Sequence, residues 1–241
     1  MPSLADRTRT LDANLQAMLR EGGAFVASRL GGNTHFVALQ LAESGSDLVA
    51  AGRALAQAHR GAIRVFRNQE SSGRPIPANR GEATLLSQPT ELATLSVLFK
   101  AWLFFVRAFC DHAYRLLLAD AENRPAPRSG SMKSILNPLN PVAVIFDARA
   151  PEITEWFRAH RELRNAMKEG AAFAFSGLDA RGLALTIYEI RTRKEPDREI
   201  EVLEGPTIRF ADVVEDSNRM VEILALLAEG TGTREPRSRH T

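Results

Sequence analysis

Cysteine is nearly absent: Cys110 is the only one in 241 residues. An intrachain disulfide and a cysteine metal cluster are therefore excluded, and the usage suits a reducing cytoplasm, the expected location. Histidine is scarce too, with five scattered along the chain. No HExxH or paired His-carboxylate spacing occurs, so neither a metal nor a cofactor is expected. GxSxG, P-loop and GxGxxG motifs are missing. The segment from residue 1 to 15 alternates charge and has no apolar stretch of the kind that leads a secretory signal. The most apolar run, Leu95 to Leu118, is broken by Lys100, Arg107, Asp111 and Arg115. A span needs about 20 mostly apolar residues, so no membrane partner is expected.

Lysine is also rare: Lys100, Lys133, Lys168 and Lys194 are the only four among 31 basic residues. Arginine carries the rest, against 29 acidic residues, for a net charge of +2. That balance is too weak by itself to point to nucleic acid, and the arginine bias also follows from genomic base composition. Hydrophobic residues at 44% and charged residues at 25% are ordinary for a globular chain.

Periodicity predicts a mainly α-helical bundle with a small β-hairpin near the C-terminal end and a final helix after it. Residues 4 to 21 read as a helix, and Ala24 to Leu30 as a short helix or strand between glycine pairs. Thr34 to Ala42 reads as helical, and Ser46 as the N-cap of a second long helix over Asp47 to Asn68. Ser71 to Gly81 is a loop by its glycines and prolines. From Pro89-Thr90 a strong helix follows. Leu95, Leu98, Trp102, Phe105, Phe109, His112 and Leu116 share its core face, and Lys100, Arg107, Asp111 and Arg115 are placed on the opposite side. Trp102, Phe104, Phe105 and Phe109 read as core rather than as a base-stacking surface. Residues 122 to 140 form a proline-rich irregular excursion, and Val142 to Phe146 a short strand or turn. Pro151 opens a helix with Glu152 and Glu155 in its first turn, and Gly170 closes it. Leu183, Leu185 and Ile187 alternate, as do Ile200 and Val202 across a charged loop, as a hairpin does. A last helix spans Ala211 to Ala228. One domain is expected over residues 1–229, with 230–241 a disordered tail.

The chemistry concentrates on the helix from Pro151. Trp156, His160, Leu163 and Met167 mark its core face. Arg161, Arg164 and Lys168, spaced i, i+3 and i+7, lie on a neighbouring face with Asn165 close by. Three cations so spaced can grip successive phosphates, with Asn165 as a further donor. The competing reading is a solvated face whose cations pair with Glu162, Glu169 and carboxylates of other helices. His112 and His160 sit on core stripes, where a histidine is more often a hydrogen-bonded core residue than a catalyst. If their helices pack together, the two could meet near Asp111. The interleaved charges of the hairpin loop, Arg191 to Glu201, read as a solvated surface.

The segment WFRAHRELRNAMKEG, Trp156 to Gly170, is similar to the second conserved helix of the HEPN superfamily. There an aromatic residue leads into R-N-x-x-x-H and a closing glycine. Arg164 and Asn165 match the Arg-polar pair, Lys168 a common basic position and Gly170 the glycine, while Glu169 stands where the histidine is expected. Phe105 to Leu118 resembles the preceding helix in a bacterial HEPN-like family of unassigned function. The likeness extends over about Leu92 to Leu227, with the HEPN-like core at about 90–228. It implies a bundle of four or more helices that often dimerises, here expected as a homodimer, with paired Arg and His residues in a cleft. Active members are metal-independent ribonucleases; others bind nucleotides or act as toxin or antitoxin partners. With Glu169 in the histidine position, the expectation is a non-catalytic binding or regulatory protein that recognises RNA, a nucleotide or a partner protein through Arg161, Arg164, Asn165 and Lys168. The alternatives are a metal-independent ribonuclease, for which Arg164, Glu169, His160 and His112 are the catalytic candidates, and a structural dimeric interaction protein. The usual carboxyl pKa of about 4.3 suits Glu169 poorly to acid–base work near neutrality.

Overall fold

A computed structural model describes residues 31–71, 90–169, 172–179, 182–192 and 200–230. The readings made for residues 4–21, 24–30, 72–81, Gly170, 193–199 and the tail lie outside these. The elements in chain order are α1 (Asn33–Ser71), α2 (Thr90–Glu122), a 3₁₀ turn (Met132–Leu136), α3 (Pro141–Arg149), α4 (Glu152–Lys168), β1 (Ala172–Asp179), β2 (Gly182–Thr192), β3 (Ile200–Arg209) and α5 (Phe210–Gly230). The fold is mainly α: a helical bundle with a small antiparallel sheet and a final helix.

The two expected N-terminal helices are one. α1 runs unbroken through 39 residues, and Ser46 caps nothing. Its hydroxyl donates back to the Ala42 carbonyl (3.1 Å), as Ser44 does to Leu41 (3.0 Å). Serines bonded backwards in this way are accommodated inside a helix. α1 and α2 pack antiparallel: Gln40 meets Arg115, Ser44 meets His112, and Phe210 is stacked on by His59 and met edge-on by Phe99.

α2 is the axis of the core. Leu95, Phe99, Trp102, Leu103, Val106, Phe109, Cys110, Ala113 and Leu117 are all buried, which covers most of its circumference. Each large apolar side chain so buried contributes about 1.5–3 kcal/mol. By length and composition α2 could cross a membrane. Here it is wrapped by α1, α3, α4, α5 and the sheet. Two cations assigned to its outer side, Arg107 and Arg115, are buried as well. Helical period alone cannot separate inside from outside on a helix packed on nearly every face.

Asn123 ends α2 in the left-handed conformation (φ 50°). Its N–H donates to the Asp120 carbonyl, and the Arg124 N–H to that of Ala119, a Schellman closure in which Asn replaces glycine. The excursion that follows is irregular, as its prolines require, but tightly tied. Arg115 donates to the carbonyls of Pro127 (2.8 and 3.0 Å) and Arg128 (2.8 Å) and to Gln40 Oε1 (3.0 Å). Ala126 is bonded through both backbone groups to Asn33 and Thr34. Gly130 lies so close that a Cβ there would meet Arg115 Cγ at 3.1 Å.

Val142 to Phe146 is helical, not a strand. Asn140 caps α3 by accepting from the Val142 N–H (3.0 Å), and Pro141 occupies the first turn. The sheet has three strands in the order β1-β2-β3, so the expected β2–β3 hairpin gains a neighbour in β1. Leu183 and Leu185 are buried and Ile187, partly buried, packs against the same core, as read; Thr186 and Tyr188, at the alternate positions, are buried as well. The register shifts where β3 carries an extra residue between Glu204 and Thr207, opposite Ile187. Gly205 at that bulge is obligatory, because a Cβ would stand 2.8 Å from the Ile187 carbonyl oxygen.

Candidate functional site

The buried face of α4 is not quite the one its apolar residues mark. Ile153, Phe157 and His160 are buried, while Trp156, Leu163 and Met167 are half-buried at its edge. At about 100° per residue, Ile153, Phe157, His160 and Arg164 fall within roughly 60° of one another. Arg164 therefore belongs to the inward stripe, not to a separate solvated face. Its Nε is buried without a hydrogen-bond partner, and Nη1 makes only a long contact (3.5 Å) to Asn165 Oδ1. The guanidinium lies over the Phe104 ring, 5.5 Å from its centroid. Phe104 is 47% exposed, so this aromatic of α2 is a surface residue rather than core.

A second arginine, which the sequence reading did not assign to the site, stands beside the first. Arg107 is 9% exposed, and its Cζ lies 4.7 Å from the Phe157 ring centroid. Nε donates to Asp111 Oδ2 (3.1 Å), and Nη2 donates to Ser131 Oγ and pairs with Asp111 Oδ1 (3.1 Å). Nη1 is buried and unpartnered. Burial pulls the guanidinium below its usual pKa; Asp111 and Cys110 raise it, and Arg164 lowers it. Asp111 also accepts the Met132 N–H (2.7 Å), which fixes the excursion over this pair. Because Asp111 already offsets Arg107, the uncompensated charge is that of Arg164. The available signal in the sequence was the i, i+4 spacing of Arg107 and Asp111 in an otherwise apolar helix.

His160 is 4% exposed, with its ring 5.2 Å from that of Trp156, and neither nitrogen has a hydrogen-bond partner. Burial above all lowers its pKa to about 4. The Leu103 backbone opposes that shift, and Arg107 and Arg164 add to it. The imidazole is thus neutral near pH 7. His112 does not join it. Half-buried, it faces α1, with Nδ1 3.1 Å from Ser44 Oγ, and burial, then Arg115, lower its pKa. The two histidines sit in different surroundings, and only His160 lies beside the arginines.

Glu169 is exposed at the C-cap of α4, its N–H donating to the Asn165 carbonyl (2.9 Å). Five residues beyond Arg164, it is turned about 140° away around the axis. Arg161 is half-buried and Lys168 exposed, and neither forms an ion pair among the described residues. Among those residues, no cluster of three histidine, cysteine or acidic groups stands ready for a metal. The assembled site is therefore Arg164 over Phe104, with Arg107 behind, Asn165 beside, and Arg161 and Lys168 toward solvent. Comparison with known proteins gives no matching family model, curated protein or solved structure.

Proposed function

We propose that this chain is a HEPN-like module that binds single-stranded RNA or a nucleotide through Arg164, and does not cleave it. The observation that carries the reading is the placement of the Arg164 guanidinium over the exposed ring of Phe104, beside the free Nη1 of Arg107. An exposed aromatic beside a cation offers a base one face to stack on, and stacking contributes about 1–3 kcal/mol per base. Arg161, Lys168 and Asn165 then supply phosphate contacts along the next turns of α4.

Catalysis is the weaker reading. A general acid or base works best with a pKa near the operating pH. His160 is 4% exposed with a pKa near 4, and Glu169 faces away from Arg164.

The test is fluorescence anisotropy with a labelled single-stranded RNA, combined with a cleavage assay in EDTA. The expected result is binding that falls steeply with salt, weakens at least tenfold in Arg164→Ala and in Phe104→Ala, and leaves the RNA intact. Cleavage abolished by Arg164→Ala would establish a metal-independent ribonuclease instead. Absence of binding would overturn both. A dimeric interaction protein is the other reading, supported by Val97 and Phe104, exposed two turns apart on α2. It expects Arg164→Ala to change the mass in light scattering.

A further inference from the structure

On the other side of α4 from Arg164, a cavity of about 400 Å³ opens between α4, the sheet and α5. Its walls are Trp156, Leu163, Ile187, Ile208 and Val213. A cleft of this size, apolar with a few convergent polar groups, is what small-molecule sites have in common. Three polar features mark it. His160, 4% exposed, lines the cavity; neither ring nitrogen has a well-formed hydrogen bond, and its polar neighbour is the Leu103 backbone. Trp156 Nε1 is held toward Ser217 Oγ (3.4 Å), which fixes the indole as a wall. Among the described residues, the charged ones that line the cavity are Glu162 and Asp216, both acidic and both exposed.

We infer that this cavity is a binding site for a small arylalkylamine, an aromatic ring carrying a protonated alkyl amine. The ring lies against Trp156 and the aliphatic wall, a polar ring atom meets the buried His160, and the ammonium faces Glu162 and Asp216. Each part answers one feature of the cavity. The apolar walls ask for a flat apolar body. The neutral imidazole, with one N–H and one lone pair, can accept from or donate to a ring N–H or hydroxyl. The acidic rim disfavours an anion and attracts a cation. The positive field of Arg107 and Arg164 behind His160 directs the ammonium outward, so one orientation is preferred. This site is separate from the RNA or nucleotide surface, and neither proposal depends on the other.

Three ligands with one ring and different charge decide the matter: tryptamine, indole-3-acetate and the neutral indole-3-ethanol, measured by isothermal titration against the full chain. Tryptamine should bind saturably at one site, and indole-3-acetate at least tenfold more weakly. The double variant Glu162→Gln/Asp216→Asn should lower tryptamine affinity about five- to tenfold, as two partly screened ion pairs allow, and leave indole-3-ethanol unchanged. Ala166→Leu, which fills the cavity from α4, should abolish binding of all three while the circular dichroism spectrum stays that of the wild type. Equal binding of the three, a double variant that binds tryptamine normally, or no saturable binding of tryptamine would each overturn the assignment.

Discussion

Arg107 lies against Phe157, its guanidinium carbon 4.7 Å from the ring centroid. This contact joins α2 to α4 with a charged group whose other end is held by Asp111 and Ser131. The pair makes the floor of the arginine site rigid. Arg107→Met keeps the length of the side chain and removes its charge. It should lower the melting temperature while leaving the protein folded, since removing one partner of a buried ion pair leaves the other, here the partly exposed Asp111, uncompensated. The variant should also weaken RNA binding severalfold. Loss of folding together with binding would show that Arg107 is only structural.

Arg115 ties the excursion to α1 and α2 through three carbonyl oxygens, those of Pro127, Arg128 and the Gln40 side chain. Arg115→Ala leaves them without their charged donor and should cost about 2–4 kcal/mol in urea unfolding. Arg115→Lys should recover only part, because an ammonium cannot reproduce the planar fork. A loss under about 0.5 kcal/mol would mean that water replaces the guanidinium.

His59 and His160 both have folded-state pKa values near 4, lowered chiefly by burial. Both would be protonated near 6.5 once unfolded. Stability is therefore full above about pH 6.5, falls as pH drops from there toward 4, and flattens below. The expected loss is on the order of 1–3 kcal/mol per residue. Thermal melts at pH 7.5, 6 and 5 should show it, and His160→Phe should reduce the slope. A slope unchanged by that substitution would place the effect elsewhere.

Two glycines make a paired comparison. A Cβ at Gly205 would stand 2.8 Å from the Ile187 carbonyl oxygen, whereas one at Gly61, inside α1, would meet nothing within 4 Å. Gly205→Ala should destabilise by about 1–3 kcal/mol as the bulge yields. Gly61→Ala should stabilise by about 0.5–1 kcal/mol through the helix entropy it restores. The same sign for both in denaturant melts would refute the close approach.

Much of the helical framework was legible because apolar residues at 3.6 spacing declare it; α2, α4 and α5 stand close to where periodicity put them. Three features were not. Ser46 carries the same hydroxyl whether it caps a helix or bonds back into one, and only the backbone decides. Asn140-Pro141 is both a break and a helix start, and reading it as a break hid α3. The β3 bulge opposite Ile187 inserts one residue into the pairing, which no alternation rule foresees. At the candidate site, Arg164 and Asn165 could be found from their spacing. Arg107 was marked only by its i, i+4 spacing to Asp111 and Phe104 by nothing, because partners on a second helix depend on how α2 rotates against α4.

Cys110 is the chain's single thiol, fully buried at the middle of α2, where burial pushes its pKa upward. It is therefore a reporter already in place. A thiol reagent can reach it only when the central helix parts from its neighbours, so the labelling rate of the unaltered protein measures how often the core opens. Ligands that close the cavity or bridge α2 to α4 would slow that rate, and no label need be engineered to see it.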